Sequence, residues 1–263
     1  MTALVYVYAV LREPAAGELN GIDGRPVRWI AEGGFAAAVS DVPSEDFDEE
    51  PLNERVREMG WLGPRAVAHQ EVNYRLHADG EASVPLTFGT VFRDDDRVRQ
   101  LLRDQAPVFA ERLEAVRGRA EWVVALFRLR EPDAEYLTRS SPAIQKLLGE
   151  IESSAPGRGH LLRRRLAELQ RDEARRLQGE AAEEVLSSLG RVTEAVYPEP
   201  LPRDSVERPL VRASVLVRRA AEGHFLDEVE RLQAQWPEPM YRLQLTGPWP
   251  PYRFGGLRPE VTC

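Results

Sequence analysis

The side chains in this 263-residue chain that could do covalent or metal chemistry are four histidines, one cysteine and a scatter of serines and acids. His69 and Glu71, with His77 beyond them, invite a metal or acid-base reading. Residues two apart on a helix face different sides, so His69 and Glu71 form no ligand pair. Neither His-Glu-x-x-His nor His-x-His spacing occurs, and polar helix surface is the favoured reading. Asp94, Asp95 and Asp96 could chelate a divalent cation, but the calcium-loop pattern is missing. A helix start needs acceptors at this point, so a cap is favoured. His160 beside Arg163, Arg164 and Arg165, preceded by Gly157 and Gly159, could hold phosphate at a helix N-terminus. No Gly-Lys-Ser/Thr follows, and nearby glutamates and Asp172 dilute the charge, so a solvated helix face is expected. His224 has no evident partner. Ser140, Ser141, Ser153, Ser154, Ser187 and Ser188 sit in helix or cap contexts without a nucleophile-elbow Gly-x-Ser-x-Gly. No catalytic, metal or cofactor-binding residue is therefore assigned, although a site assembled from distant residues stays open.

Two runs are dense in special residues. The first is Val84-Pro85-Leu86-Thr87-Phe88-Gly89-Thr90-Val91-Phe92. Proline removes a ladder donor and glycine weakens a strand interior, so an edge strand or a bent crossing is expected. The second is Thr246-Gly247-Pro248-Trp249-Pro250-Pro251-Tyr252-Arg253-Phe254. Prolines stiffen it, and its aromatics offer large contact area. It reads as a tail that packs back over the core, as a docking surface, or as both.

Composition narrows the class. A chain of this length makes one large domain or two of ordinary size. With 43% hydrophobic and 30% charged residues it can bury a core and stay dissolved. The net charge of -8 argues against a nucleic-acid binder, which needs a basic face. The one cysteine, Cys263, excludes a disulfide framework and suits a reducing cytosol. Residues 1–11 read as a strand and not as a signal peptide, and no apolar run reaches the roughly twenty residues of a spanning helix.

The elements follow from periodicity. Residues 3–11 form a strand with Tyr6 and Tyr8 on one face and valines on the other. Strands at 27–30 and 35–39 pair across Gly33-Gly34 as a hairpin. A helix from Pro51 is expected to break or kink at Gly60, Gly63 and Pro64 and to resume over 65–77, before an Asp79-Gly80 turn. A helix over 95–116 follows, with a kink or restart at Pro107. Together these predict an antiparallel sheet with helices on one side. The second half reads as a strand at 121–129, a helix from Pro142 to about 151, and an interruption at Pro156 to Gly159. A long charged helix over 160–189 follows, then a strand at 191–197, a stiff connection through Pro198, Pro200, Pro202 and Pro209, a strand at 210–217, a helix at 222–235 and a strand at 240–245. That β-α-β-β-α-β order is the ferredoxin-like split βαβ arrangement. The fold class is α+β in two domains: 1–118, a C-terminal ferredoxin-like domain at 119–246, and a tail at 247–263.

The run from Val84 to Phe92 with its acidic helix start resembles the central signature of the gas vesicle protein F/L family (GvpF/GvpL). Agreement continues at Tyr6-Val7-Tyr8, at Ala68-His69-Gln70-Glu71-Val72, at Gly118-Arg119-Ala120-Glu121-Trp122 and at the terminal run. It covers nearly the whole chain, and departs at Gln70, where an acidic residue is more usual. The resemblance implies a non-enzymatic accessory protein of vesicle assembly with a modified ferredoxin-like C-terminal domain. It implies a cytoplasmic, vesicle-associated protein that binds the small hydrophobic shell protein or other accessory proteins. Such a partner would limit aggregation of a shell subunit with a large apolar side. A scaffolding or regulatory ferredoxin-like module is the alternative, and an enzyme with an unrecognised site is a further one. The motif residues are Pro85, Leu86, Phe88, Gly89, Thr90, Gly247, Pro248, Trp249, Pro250, Pro251 and Tyr252. Phe88, Trp249 and Tyr252 are the candidate partner contacts, each with a structural role as the competing reading.

Overall fold

A computed structural model describes residues 3–79, 82–201, 207–236 and 240–257. Gly80, Pro202 and Cys263 lie outside the described residues. The chain is α+β with two antiparallel sheets. It divides into two compact units, one of Met1–Trp122, Leu216–Ala220 and Gly247–Cys263, the other of Val123–Val215 and Ala221–Thr246.

In the first unit, β1 (Ala3–Leu11), β2 (Arg28–Glu32) and β3 (Phe35–Pro43) precede the helices α1 (Ser44–Phe47), α2 (Glu49–Arg55) and α3 (Met59–Asp79). Then come β4 (Val84–Pro85), β5 (Val91–Phe92), α4 (Asp95–Asp104) and α5 (Ala106–Val116). The sheet order is β2-β3-β1-β4, with β5 also on β1. The hairpin falls where expected: Glu32 pairs Phe35, and Gly33 and Gly34 take φ 60° and 81°, which two-residue hairpin turns demand. Pro107 restarts the helix at its first turn, as the sequence predicts.

Three expectations need correction. Helices cover both faces of this sheet rather than one. Val5, Val7 and Val10 pack with Val98, Leu102, Phe109 and Leu113 of α4 and α5. Leu4, Tyr6, Tyr8 and Ala9 pack with Phe47, Val72 and Leu76 of α1 and α3. Burial on both faces explains why β1 is enclosed from Leu4 to Leu11 and reads as an unbroken apolar run. Next, the helix break falls after Arg55 and not at Gly60 to Pro64. Pro64 stands in the second turn of α3, where it removes a single intrahelical donor. Third, the valine face is not one simple alternation. The register between β1 and β3 shifts between Val7 and Ala9, so Tyr8 and Ala9 share a face.

In the second sheet and its helices, β6 (Arg119–Arg128) leads to α6 (Ala134–Ser140), α7 (Pro142–Glu152) and α8 (Pro156–Val192). After them come β7 (Ala195–Pro198), β8 (Pro209–Arg218), α9 (Glu222–Gln235) and β9 (Tyr241–Trp249). The order β-α-β-β-α-β holds with three helices in the first helical place, and the sheet runs β7-β8-β6-β9. Residues 156–159 open α8 instead of interrupting the region, because proline at the first turn lacks only an N–H that no helix would use. That helix runs to Val192, so the strand expected from 191 begins at Ala195.

Candidate functional site

The first special run is a bent edge, as its proline and glycine predict. Val84 and Pro85 pair with Val10 and Ala9, and Val91 and Phe92 pair with Tyr6 and Val5. Between them the chain leaves β1 in a turn, closed by the Thr90 N–H to the Thr87 carbonyl at 3.2 Å. Gly89 takes φ 85° there, a conformation that a side chain would strain. Leu86 N–H still reaches the Tyr8 carbonyl at 2.8 Å, and Val7 N–H the Thr90 carbonyl at 2.9 Å. The run therefore crosses β1 where β1 itself is bulged.

Underneath lies a buried polar cluster that the sequence reading assigned to helix surface. His69 and His77 are 4% and 3% exposed, which overturns that reading. The Tyr6 hydroxyl lies 2.9 Å from His69 Nδ1 and accepts the Gly89 N–H at 3.1 Å. The Asn73 amide donates to the His69 carbonyl at 3.1 Å and lies 3.0 Å from Nε2. A neutral imidazole carries one proton, so the donating amide assigns Nε2 as acceptor and places the proton on Nδ1. Burial lowers the His69 pKa to about 4, with the Leu86 carbonyl opposing weakly. Burial, reinforced by Arg219, lowers His77 to about 4. Neither ring nitrogen of His77 has a hydrogen-bond partner among the described residues. Burial also holds the Tyr6 and Tyr252 hydroxyls well above the usual tyrosine range.

The second run closes over the same helix. Gly247 takes φ 134° inside β9, and a Cβ there would stand 2.9 Å from Trp122 Cε3 and 3.1 Å from the Glu121 carbonyl. The strand thus extends to Trp249, past the end expected at 245. Pro250 and Pro251 are buried. Asn73 faces the Tyr252 hydroxyl in a geometry short of a full hydrogen bond. The Arg253 N–H donates to buried Glu121 at 2.8 Å, and the Phe254 carbonyl accepts from Arg112 at 3.2 Å. Leu257 bridges Leu86 and packs against the α4–α5 side of the core. The first run therefore meets β1 and α3, and the second meets α3 and the first run itself, although the two stand far apart in sequence.

Of the candidate contacts, Phe88 is half-buried, its ring 5.9 Å from Tyr6 and 5.7 Å from His69. Tyr252 is half-buried over Asn73. Trp249 is half-buried as well, but it borders a surface groove. With Ala66, Val67, Gln70, Glu71 and Tyr74 it lines an open groove of about 480 Å³. Val67 is 70% and Tyr74 44% exposed. The sequence reading missed these two. The signal was available: Met59, Val67 and Tyr74 recur on one side of α3, while Val72 and Leu76 fill the other.

Most of the remaining candidates have structural partners. Asp94 caps α4 through the Arg97 N–H at 2.9 Å, Asp95 binds Arg28, and Asp96 binds Arg99. His160, Arg163, Arg164, Arg165 and His224 are exposed. Ser188 accepts from Arg191, and Ser140, Ser153 and Ser154 donate to helix carbonyls. Among the described residues no three His, Cys, Asp or Glu side chains gather as metal ligands, and no helix is long and apolar enough to cross a membrane.

A family model described as "Gas vesicle synthesis protein GvpL/GvpF" matches residues 4–255. Gas vesicle protein L of Streptomyces sp. (strain CB03234) is 34% identical over 98% of this chain and 94% of its own length. Gas vesicle protein F of the same strain is 30% identical over 95% of this chain and 98% of its own. Among solved structures, gas vesicle protein GvpF from Anabaena sp. PCC7120 superposes with a TM-score of 0.72 at 18% identity, covering 97% of this chain and 99% of that one. GvpF from Microcystis aeruginosa gives 0.68 at 18% identity over 98% and 100%.

Proposed function

This chain belongs to the GvpL/GvpF family of gas vesicle synthesis proteins, and on that premise we propose that it binds the small hydrophobic shell protein and limits its aggregation before the wall takes it up. It would act in the cytoplasm, at the growing vesicle. The observation that supports this reading is the open groove along α3, where Val67 and Tyr74 leave apolar surface exposed beside the half-buried motif residue Trp249. A subunit with a large apolar side associates with itself unless something covers that side. A carrier of net charge -8 keeps such a complex dispersed. Trp249 is the proposed contact, whereas Phe88 and Tyr252 hold the turn and the closing segment over His69 and Asn73.

The test is a pull-down of the purified protein against each product of its gas vesicle gene cluster, with light scattering of the shell protein in its presence. Binding together with delayed aggregation is expected; Trp249→Ala should weaken both, and Val67→Ala, at a position 70% exposed, should weaken both while leaving the melting temperature nearly unchanged. Binding only to other accessory proteins would replace the proposal with a scaffolding role. No binding to any product would end it.

A further inference from the structure

We infer that the groove on α3 takes a basic amphipathic helix, so that the recognised feature of a partner is an apolar helical stripe flanked by lysine or arginine. This rests on the proposed function above and names the chemistry of its contact. Shape comes first. The lining residues of α3 run from Ala66 to Tyr74, about 12 Å of helix at 1.5 Å per residue. Met59, 74% exposed, stands on the same side about two turns before Val67 and lengthens the stripe to about 22 Å, the span of roughly four helical turns. A Cβ at Gly60 or Gly63 would meet nothing within 4 Å, so the α3 backbone between Met59 and Val67 is open to close approach. An aromatic-bordered groove with an exposed methionine in line with it offers the kind of surface that helix-in-groove recognition uses.

Charge then selects the occupant. The lining includes the carboxylate of Glu71 and no cationic side chain. Arg75 reaches Glu71 at 3.7 Å, but both are more than half exposed, so an incoming cation displaces that pair readily. Residues 44–58, leading into Met59, carry Glu45, Asp46, Asp48, Glu49, Glu50, Glu54 and Glu58 against Arg55 and Arg57 alone. Glu54 and Glu58 are exposed at the end of the stripe where α3 begins. Arg55 pairs with Asp46 and Glu58, yet the acidic excess at this end, with Glu71 beside the apolar floor, attracts a basic amphipathic segment and repels an acidic one.

The experiment measures anisotropy of two labelled helical peptides of about 18 residues. Both carry the same leucine stripe, one flanked by lysines and the other by glutamates, and both are titrated with the full chain. The lysine peptide should bind at least about tenfold tighter, with the preference shrinking as salt rises. Val67→Asp should abolish binding. Because Val67 is 70% exposed, that variant should keep its circular dichroism and melting temperature. Glu71→Lys should narrow the preference. Equal binding of the two peptides, binding of neither, or unchanged binding by Val67→Asp overturns the inference. If the lysine peptide behaves as expected but the shell protein neither binds nor competes, the inference stands and the proposed function falls. If the shell protein binds and Val67→Asp holds it as tightly, the proposed function stands and the inference falls.

Discussion

Tyr6 shows how much one hydroxyl can organise. It accepts the Gly89 N–H and meets His69 Nδ1, so it joins the bent edge to α3 at a point sealed from water. Removing the oxygen would leave the buried His69 ring and the half-buried Gly89 N–H without that partner. Tyr6→Phe is therefore expected to lower unfolding stability by about 1–3 kcal/mol in a urea titration, with little change in m-value. Tyr8 is handled differently. It accepts the Ile22 N–H at 2.9 Å and donates to Ser40 at 3.1 Å, and Ser40 passes the chain on to the Pro26 carbonyl at 3.0 Å. A Cβ at Gly21 would stand 2.0 Å from that hydroxyl, which explains the glycine. The strand composition of Tyr6-Val7-Tyr8 was legible in the sequence. The partners of the two hydroxyls were not, since Gly89, His69, Ser40 and Ile22 come from four separate segments.

At the level of elements, the closing segment after β9 is held by contacts to groups distant in sequence. Glu121 is buried at the start of β6 and accepts the Arg253 N–H, a charge-assisted bond that anchors the segment mid-length. Glu121→Ala should raise hydrogen exchange at Arg253 by at least about tenfold, equivalent to the roughly 1.5–3 kcal/mol of such a bond. Exchange in the middle of β3 should stay unchanged. Uniform loosening of both regions would instead mean that Glu121 supports the whole unit. The helix α3 carries the other lesson of this scale. Its glycines and Pro64 predict a break that does not occur, because they fall in the first turns, where few intrahelical bonds depend on them. The true break follows Arg55, where no proline or glycine marks it.

Across the whole molecule, two buried neutral histidines make stability depend on pH. Their pKa values are about 4 when folded against about 6.5 when unfolded. Above pH 6.5 both states are neutral and neither histidine contributes a slope. As pH falls from 6.5 towards 4 the unfolded chain takes up protons first, so stability is lost, at up to about 1.4 kcal/mol per pH unit for each histidine. His77→Leu removes one of these titrations and a ring whose nitrogens lack partners. It should leave stability at pH 7 equal or higher by about 1 kcal/mol and reduce the slope below pH 6.5 in urea titrations run across that range. A slope equal to that of the unaltered protein would mean that His77 titrates normally when folded. The sequence by itself determined the α+β class, the Gly33-Gly34 hairpin, the Asp94 cap and the Pro107 restart, because each depends on residues within one or two turns of chain. The bend at Pro85 to Thr90 was legible for the same reason, and the kinship of the chain was legible from its motifs. Only the tertiary structure decided that His69 and His77 are buried, that helices cover both faces of the first sheet, and that Trp249 stands beside Val67 and Tyr74. Those facts arise when segments separated by tens to hundreds of residues exclude water from one another, and local periodicity carries no record of which segments do so.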